Sequence, residues 1–129
     1  MLDIKKTLTK IIESIGSLTT AIGNLAPTAV TMTAQTNVSM SQYMNCYKVG
    51  RLCVINFNFQ VTGSIASGNA MIAGLPAPIG DRALFSVTTA NGTSKTANLR
   101  LSSSGTIDAD GAISTTGWFS GSGVYVTAS

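Results

Sequence analysis

The sequence predicts an all-β fold, a jelly-roll-like β-sandwich head on a short N-terminal α-helical coiled coil, assembled as a trimer. Three observations lead there. The first 25 residues place apolar side chains on a heptad, and the chain beyond Pro27 alternates apolar and polar residues with a period of two. No helical pattern returns after that proline, while short strands recur every 8 to 12 residues or so, separated by turn formers.

The heptad is unbroken. Ile4, Leu8, Ile11, Ile15, Leu18, Ile22 and Leu25 follow one another at alternating spacings of four and three, the signature of a coiled-coil seam. With Leu8, Ile15 and Ile22 at a and Ile4, Ile11, Leu18 and Leu25 at d, isoleucine occupies both kinds of core position. That mixture disfavours a parallel dimer and points to three strands. The competing arrangement is a single amphipathic helix docked on its own domain. Gly16 and Gly23 on the outer face cost about 1 kcal/mol each relative to alanine, so the helix needs a partner either way. Self-association fits better, because only Ile12 widens the two-position seam and a docked helix usually shows a broader apolar face. Ala26-Pro27 ends the helix, since proline cannot continue the hydrogen-bond ladder and forces the preceding residue out of the α region. The stem is therefore 1–26 and the head 27–129.

In the head the clearest strand is Cys53, Ile55, Phe57, Phe59 and Val61, alternating with Val54, Asn56, Asn58 and Gln60. Shorter alternations occur at Val30-Met32-Ala34, Phe85-Val87, Ala97-Leu99-Leu101 and Val124-Val126, for about eight or nine strands in all. Asn91-Gly92 is the pair that a two-residue hairpin turn requires and predicts a hairpin joining strands near 84–90 and 93–102. Asp110-Gly111 predicts a second hairpin of the same kind, and Gly63 to Gly68 a longer connection. An all-β head with few charges has open sheet edges to protect, and trimerisation about the stem axis would cover them.

Composition narrows the function. Charged residues make up 10% of the chain, while 15 serines and 17 threonines supply about a quarter of it, so the surface is mostly hydroxyl and amide. No run of about 20 apolar residues exists to insert in a membrane, and Lys10 and Glu13 break up what would be the apolar core of a signal peptide. The net charge of +3 is not a clustered basic footprint, because Lys5, Lys6 and Lys10 lie on the stem; nucleic acid is therefore not an expected partner. With no histidine, a Ser-His-Asp triad, a Cys-His pair and imidazole metal sites are ruled out by inventory. The carboxylates Asp3 and Glu13 belong to the stem, leaving Asp81, Asp108 and Asp110 for any acid–base chemistry, so the chain is expected not to be an enzyme and to need no cofactor. Cys46 and Cys53 lack the further ligands zinc requires, and Cys53 falls on the apolar phase of its strand, favouring a reduced core thiol over a disulfide. Asp108-Ala109-Asp110-Gly111 begins like a calcium loop but lacks the later ligands and is read as a turn. Gly121-Ser122-Gly123, with no helix or lysine behind it, is read as a tight strand connection rather than a phosphate cradle. The candidate ligand-binding residues are Tyr43, Tyr47, Trp118 and Tyr125 among the few aromatics, with Asp108 and Asp110. Trp118 and Phe119 are adjacent and must face opposite sides of a strand.

Tyr47-Lys48-Val49-Gly50-Arg51 ahead of the long strand, Ile65 to Gly68, Ala73-Gly74-Leu75-Pro76, and the stretch from Gly117-Trp118-Phe119 to Val124-Tyr125-Val126-Thr127-Ala128 occur in an order that resembles bacteriophage and prophage tail-fibre and receptor-binding protein heads. The last stretch looks like the closing hairpin of those heads, and the resemblance spans roughly residues 43–129. It implies a homotrimer displayed on a virion and assembled in the host cytoplasm, whose head binds a host-surface saccharide or protein while the stem meets other virion structural proteins. The rival expectation is a purely structural head, collar or neck fibre or decoration protein.

Overall fold

The computed structural model describes residues 3–24, 26–89 and 95–129. Helix α1 runs from Ile4 to Asn24. Asp3 caps it, accepting the Lys6 N–H on its carboxylate (3.1 Å) and the Thr7 N–H on its carbonyl (3.0 Å). Among the described residues nothing packs over its apolar side: Ile4, Leu8, Ile11, Ile12, Ile15 and Leu18 are all at least half exposed. Of the predicted seam, Ile22 and Leu25 lie outside the described side chains.

Ten strands follow: β1 (Thr28–Ala29), β2 (Thr33–Ala34), β3 (Val38–Met40), β4 (Asn45–Val49), β5 (Leu52–Val61), β6 (Ala70–Ala73), β7 (Arg82–Thr89), β8 (Thr96–Ser102), β9 (Ile107–Ala109) and β10 (Gly117–Val126). They form one antiparallel sheet in the order β1-β4-β5-β10-β7-β8-β9-β6-β2, with β3 pairing β5 beyond the end of β4. The expected division into two separate sheets thus takes the form of a single hydrogen-bonded path that curls so that its inner face closes on itself.

The inner face of β5 organises that closure. Cys53, Ile55, Phe57, Phe59 and Val61 are at most 1% exposed, as the alternation predicts. Phe57 meets Phe85 (ring centroids 5.5 Å apart) and Phe59 lies over Phe119 (5.8 Å), within the range where aromatic pairs add to simple burial. Met71, Ile72, Leu99, Leu101 and Ile107 close the core from the far limb of the sheet.

The fit depends on two glycines. Gly121-Ser122-Gly123 is not a bend, and the C-terminal stretch is not a hairpin: β10 pairs with β5 without a break from Gly117↔Val61 to Val126↔Leu52. Inward positions of β10 read Phe119, Gly121, Gly123, Tyr125, large side chains flanking two gaps. A Cβ on Gly123 would come within 2.4 Å of Phe85 Cδ1, and one on Gly121 within 3.1 Å of Val87 Cγ1. The glycines therefore supply space for Phe85 and Val87 rather than a turn. Val124 and Val126 correspondingly lie on the outer face, exposed.

Other turns also differ from expectation. Asp110-Gly111 joins no hairpin, because β9 pairs with β8 and β6 while β10 lies elsewhere in the sheet; it is a bend, with Gly111 at φ 107°. β7 and β8 are paired neighbours as expected, and the Asn91-Gly92 turn itself lies outside the described residues. The 63–68 segment is the predicted longer connection, joined at Ile65 to Ile113 by a two-residue bridge.

Gly50 (φ 59°) closes the β4–β5 hairpin, and Arg51 beside it donates to the Thr127 and Ala128 carbonyls (3.1 Å each). Within that hairpin the Cys46 and Cys53 thiols are free, buried and 3.0 Å apart. Burial, and then the hydrogen bond to Cys53, pushes the Cys46 thiol well above its ordinary range. Tyr125, opposite Cys53 in the register, is pushed up by burial and then by the same thiol.

Two outcomes follow from this packing. Gly123→Ala should destabilise the head by about 1–3 kcal/mol, the usual cost of overfilling a packed core, read as a lower urea midpoint with an unchanged slope. The buried thiol and phenol stay neutral in the folded chain but ionise in the unfolded chain near about pH 8.5 and 10. Stability should be level below that range and fall as pH rises through it, visible as a declining urea midpoint while free-thiol reagents label the folded chain slowly.

Candidate ligand-binding cleft

The sequence-predicted site residues fall in different places. Tyr43, 63% exposed, stands in the connection between β3 and β4. Its carbonyl accepts N–H bonds from Asn56 (2.9 Å) and Asn45 (3.2 Å), so two amides fix the backbone from which the ring projects. Tyr47 follows on β4, half exposed opposite Val54. Trp118 is outward at the start of β10 opposite Gln60, while Phe119 is buried, the split that adjacency in a strand demands. Tyr125 does not belong with them: it is buried, and its hydroxyl donates to the Pro76 carbonyl at 2.7 Å. Its ring faces inward because β10 runs straight and position 125 shares the phase of Phe119. Its role is to tie β10 to the Leu75-Pro76 loop.

Asp108 is also engaged. It sits on β9 directly opposite Arg100 of β8, with its carboxylate 3.8 Å from the guanidinium and mostly shielded from solvent. Asp110, two residues on, is exposed and lines a cleft of about 450 Å³. The cleft opens between the start of β8 and the segment that leaves β9. Lys95, Thr96 and Asn98 of the β8 end and Asp110, Ser114 and Thr115 of the segment leaving β9 line it, together with Ile113 and Phe119. Of the chain's carboxylates only Asp110 is among its lining residues.

The local sequence explains why the cleft is polar. On β8, Ala97, Leu99 and Leu101 point into the core, which turns Thr96, Asn98 and Arg100 outward. On β9, Ile107 and Ala109 are buried and Asp108 and Asp110 take the opposite phase. The Asp110 N–H donates to the Asn98 carbonyl (2.9 Å), extending the ladder by one step before Gly111 turns the chain away. Lys95, Asn98, Ser114 and Thr115 were not among the sequence-predicted candidates. The outward phase of the Ala97-Leu99-Leu101 strand marks Asn98, but nothing in the linear order sets it against Asp110.

The remaining cations are mostly committed within the head. Lys48 reaches the Ser129 carbonyl (2.6 Å), Arg51 holds the β10 end, Arg82 lies 3.6 Å from Asp81, and Arg100 pairs with Asp108. What the head offers a ligand is therefore chiefly hydrogen-bonding: a cleft of hydroxyls and amides with Lys95 and Asp110 among its lining, and exposed aromatics on the outer sheet face.

No family model matches the chain, and no curated protein matches it in sequence. Among solved structures it is similar to the receptor binding protein (gp15) of Listeria phage PSA, with a TM-score of 0.71 and 17% sequence identity, over 100% of this chain and 82% of that one. The curled antiparallel sheet with its N-terminal helix thus shares the fold of that protein.

Proposed function

We propose that the chain is a non-catalytic adhesion protein of a phage virion, a homotrimer whose jelly-roll-like heads bind a saccharide or protein on the host surface and whose coiled-coil stem anchors them to other virion proteins. The observation that carries the reading is the fold likeness to a phage receptor binding protein across the whole chain. The exposed seam of α1 supports the trimer. Ile4, Leu8, Ile11, Ile15 and Leu18 form a continuous apolar stripe that none of the described residues covers, and isoleucine at both a and d favours three strands over two. Three copies held by one stem would each present a cleft and an aromatic-bearing face, so weak single contacts would gain by avidity. The exposed Tyr43 between Asn45 and Asn56, and the open cleft at Asp110, favour a binding head over one that only decorates the particle.

Light scattering of the full chain should give three chain masses (13.3 kDa each). The same chain starting at Thr28, and the Ile11→Asp/Ile15→Asp double variant, should lose assembly while keeping the far-UV spectrum of a folded sheet. A monomeric full-length chain would refute the trimeric adhesin.

A further inference from the structure

We propose that the cleft between β8 and β9 is the head's saccharide site, in which Asp110 and Asn98 together hold a pair of adjacent hydroxyls of a neutral sugar. The proposal rests on the adhesion reading above and names its binding chemistry.

Strands β8 and β9 pair with Leu99 opposite Ala109 and Arg100 opposite Asp108, so the next outward pair along the ladder is Asn98 with Asp110. Directly opposed side chains of this kind have Cβ atoms about 4.5–5.5 Å apart. The two outward pairs are chemically different. Arg100 neutralises Asp108, whereas the Asp110 carboxylate has no hydrogen-bond or ion-pair partner among the described residues.

Asn98 is preset for a ligand. Its side-chain oxygen accepts the Ser86 hydroxyl from β7 at 3.1 Å, which fixes the amide, and its NH2, with no hydrogen-bond partner among the described residues, is left to donate where Asn98 lines the cleft. An acceptor-only carboxylate beside a donor amide is the arrangement that vicinal hydroxyls satisfy, since one O–H can donate to Asp110 while a neighbouring oxygen accepts from Asn98. A hydrogen bond to a charged acceptor is the stronger of the two. The Ser114 and Thr115 hydroxyls that also line the cleft offer further donors and acceptors. Lys95 on the rim balances the Asp110 charge, so the cleft as a whole selects neither anion nor cation. Its volume of about 450 Å³ lies within the usual range of small-molecule sites, about 300–1,000 Å³. Phe119 beneath it is 1% exposed, so binding there rests on hydrogen bonds rather than on stacking a sugar ring.

The test titrates the isotope-labelled full chain with free glucose, galactose, rhamnose and N-acetylglucosamine, following backbone amide shifts. At least one sugar should move amides in 95–98 and 110–115. Asp110→Asn, an exposed near-isosteric change that should leave the melting temperature unaltered, should weaken that binding about tenfold or more, and Asn98→Ala should do likewise. Absence of shifts from all four at roughly 50 mM, well above millimolar affinity, would overturn the proposal. So would shifts centred on Tyr43 and Tyr47 that survive Asp110→Asn. A monomeric chain that binds sugar in the cleft would defeat the fibre reading and leave the site standing; a trimer that binds none would do the reverse.

Discussion

The inward face of β5 is the constraint on which the head depends. Five consecutive inward positions are removed from solvent, and a flat sheet could not do that, because one side of it would face water. The sheet must curl until β6, β8 and β9 cover the far side of that row. Burial of each large apolar side chain contributes about 1.5–3 kcal/mol, so β5 specifies both its register and the curvature of its neighbours. The glycines of β10 belong to the same solution: with β10 locked beside β5 over ten residue pairs, Phe85 and Val87 reach the core only through the space that Gly121 and Gly123 leave open.

The proposed binding site lies where this packing leaves side chains outward. Because the core claims one phase of the long strands, the other phase is free to vary, and here it mixes amides and hydroxyls, as at Asn56, Asn58, Gln60, Asn98, Ser120 and Ser122, with exposed apolar side chains such as Tyr47, Leu52, Val54, Trp118, Val124 and Val126. Charges that do occur are largely spent on structure, Arg51 at the end of β10 and Arg100 on Asp108. The Asp110 carboxylate, just past the last buried position of β9, stands apart from that use. The stem obeys the opposite rule. Among the described residues its apolar stripe stays exposed, so the head folds around its own core while the helix, in the proposed trimer, would be covered by other copies.

The long alternation of β5 and the phase of β8 were legible in the sequence because each is a local periodicity that burial enforces, and the helix Ile4–Asn24 was legible in its heptad spacing. The opposite orientations of Trp118 and Phe119 were legible for the same reason. What escaped was set by pairing between distant segments. Gly121-Ser122-Gly123 has the composition of a turn, and only contact with Phe85 reveals it as packing. Tyr125 looked available because Val124 and Val126 seemed to mark the inner phase, yet those valines face outward and Tyr125 bonds Pro76. Asp110-Gly111 has hairpin chemistry, but the strand after it joins β5 and β7 instead of β9. Of the cleft, Asp110 was visible as an isolated carboxylate, whereas its partnership with Asn98 exists only through the β8–β9 register.

The central claim, that the stem is a helix held by other copies of itself, is tested most directly by amide hydrogen exchange across Ile4–Asn24 in the full chain. An isolated helix of this length with every seam side chain in water is marginally stable. The account predicts slow exchange through the middle of α1, approaching the protection of β5 and weakening on dilution. Exchange there at the rate of an unstructured peptide, with β5 still protected at high protein concentration, would contradict it.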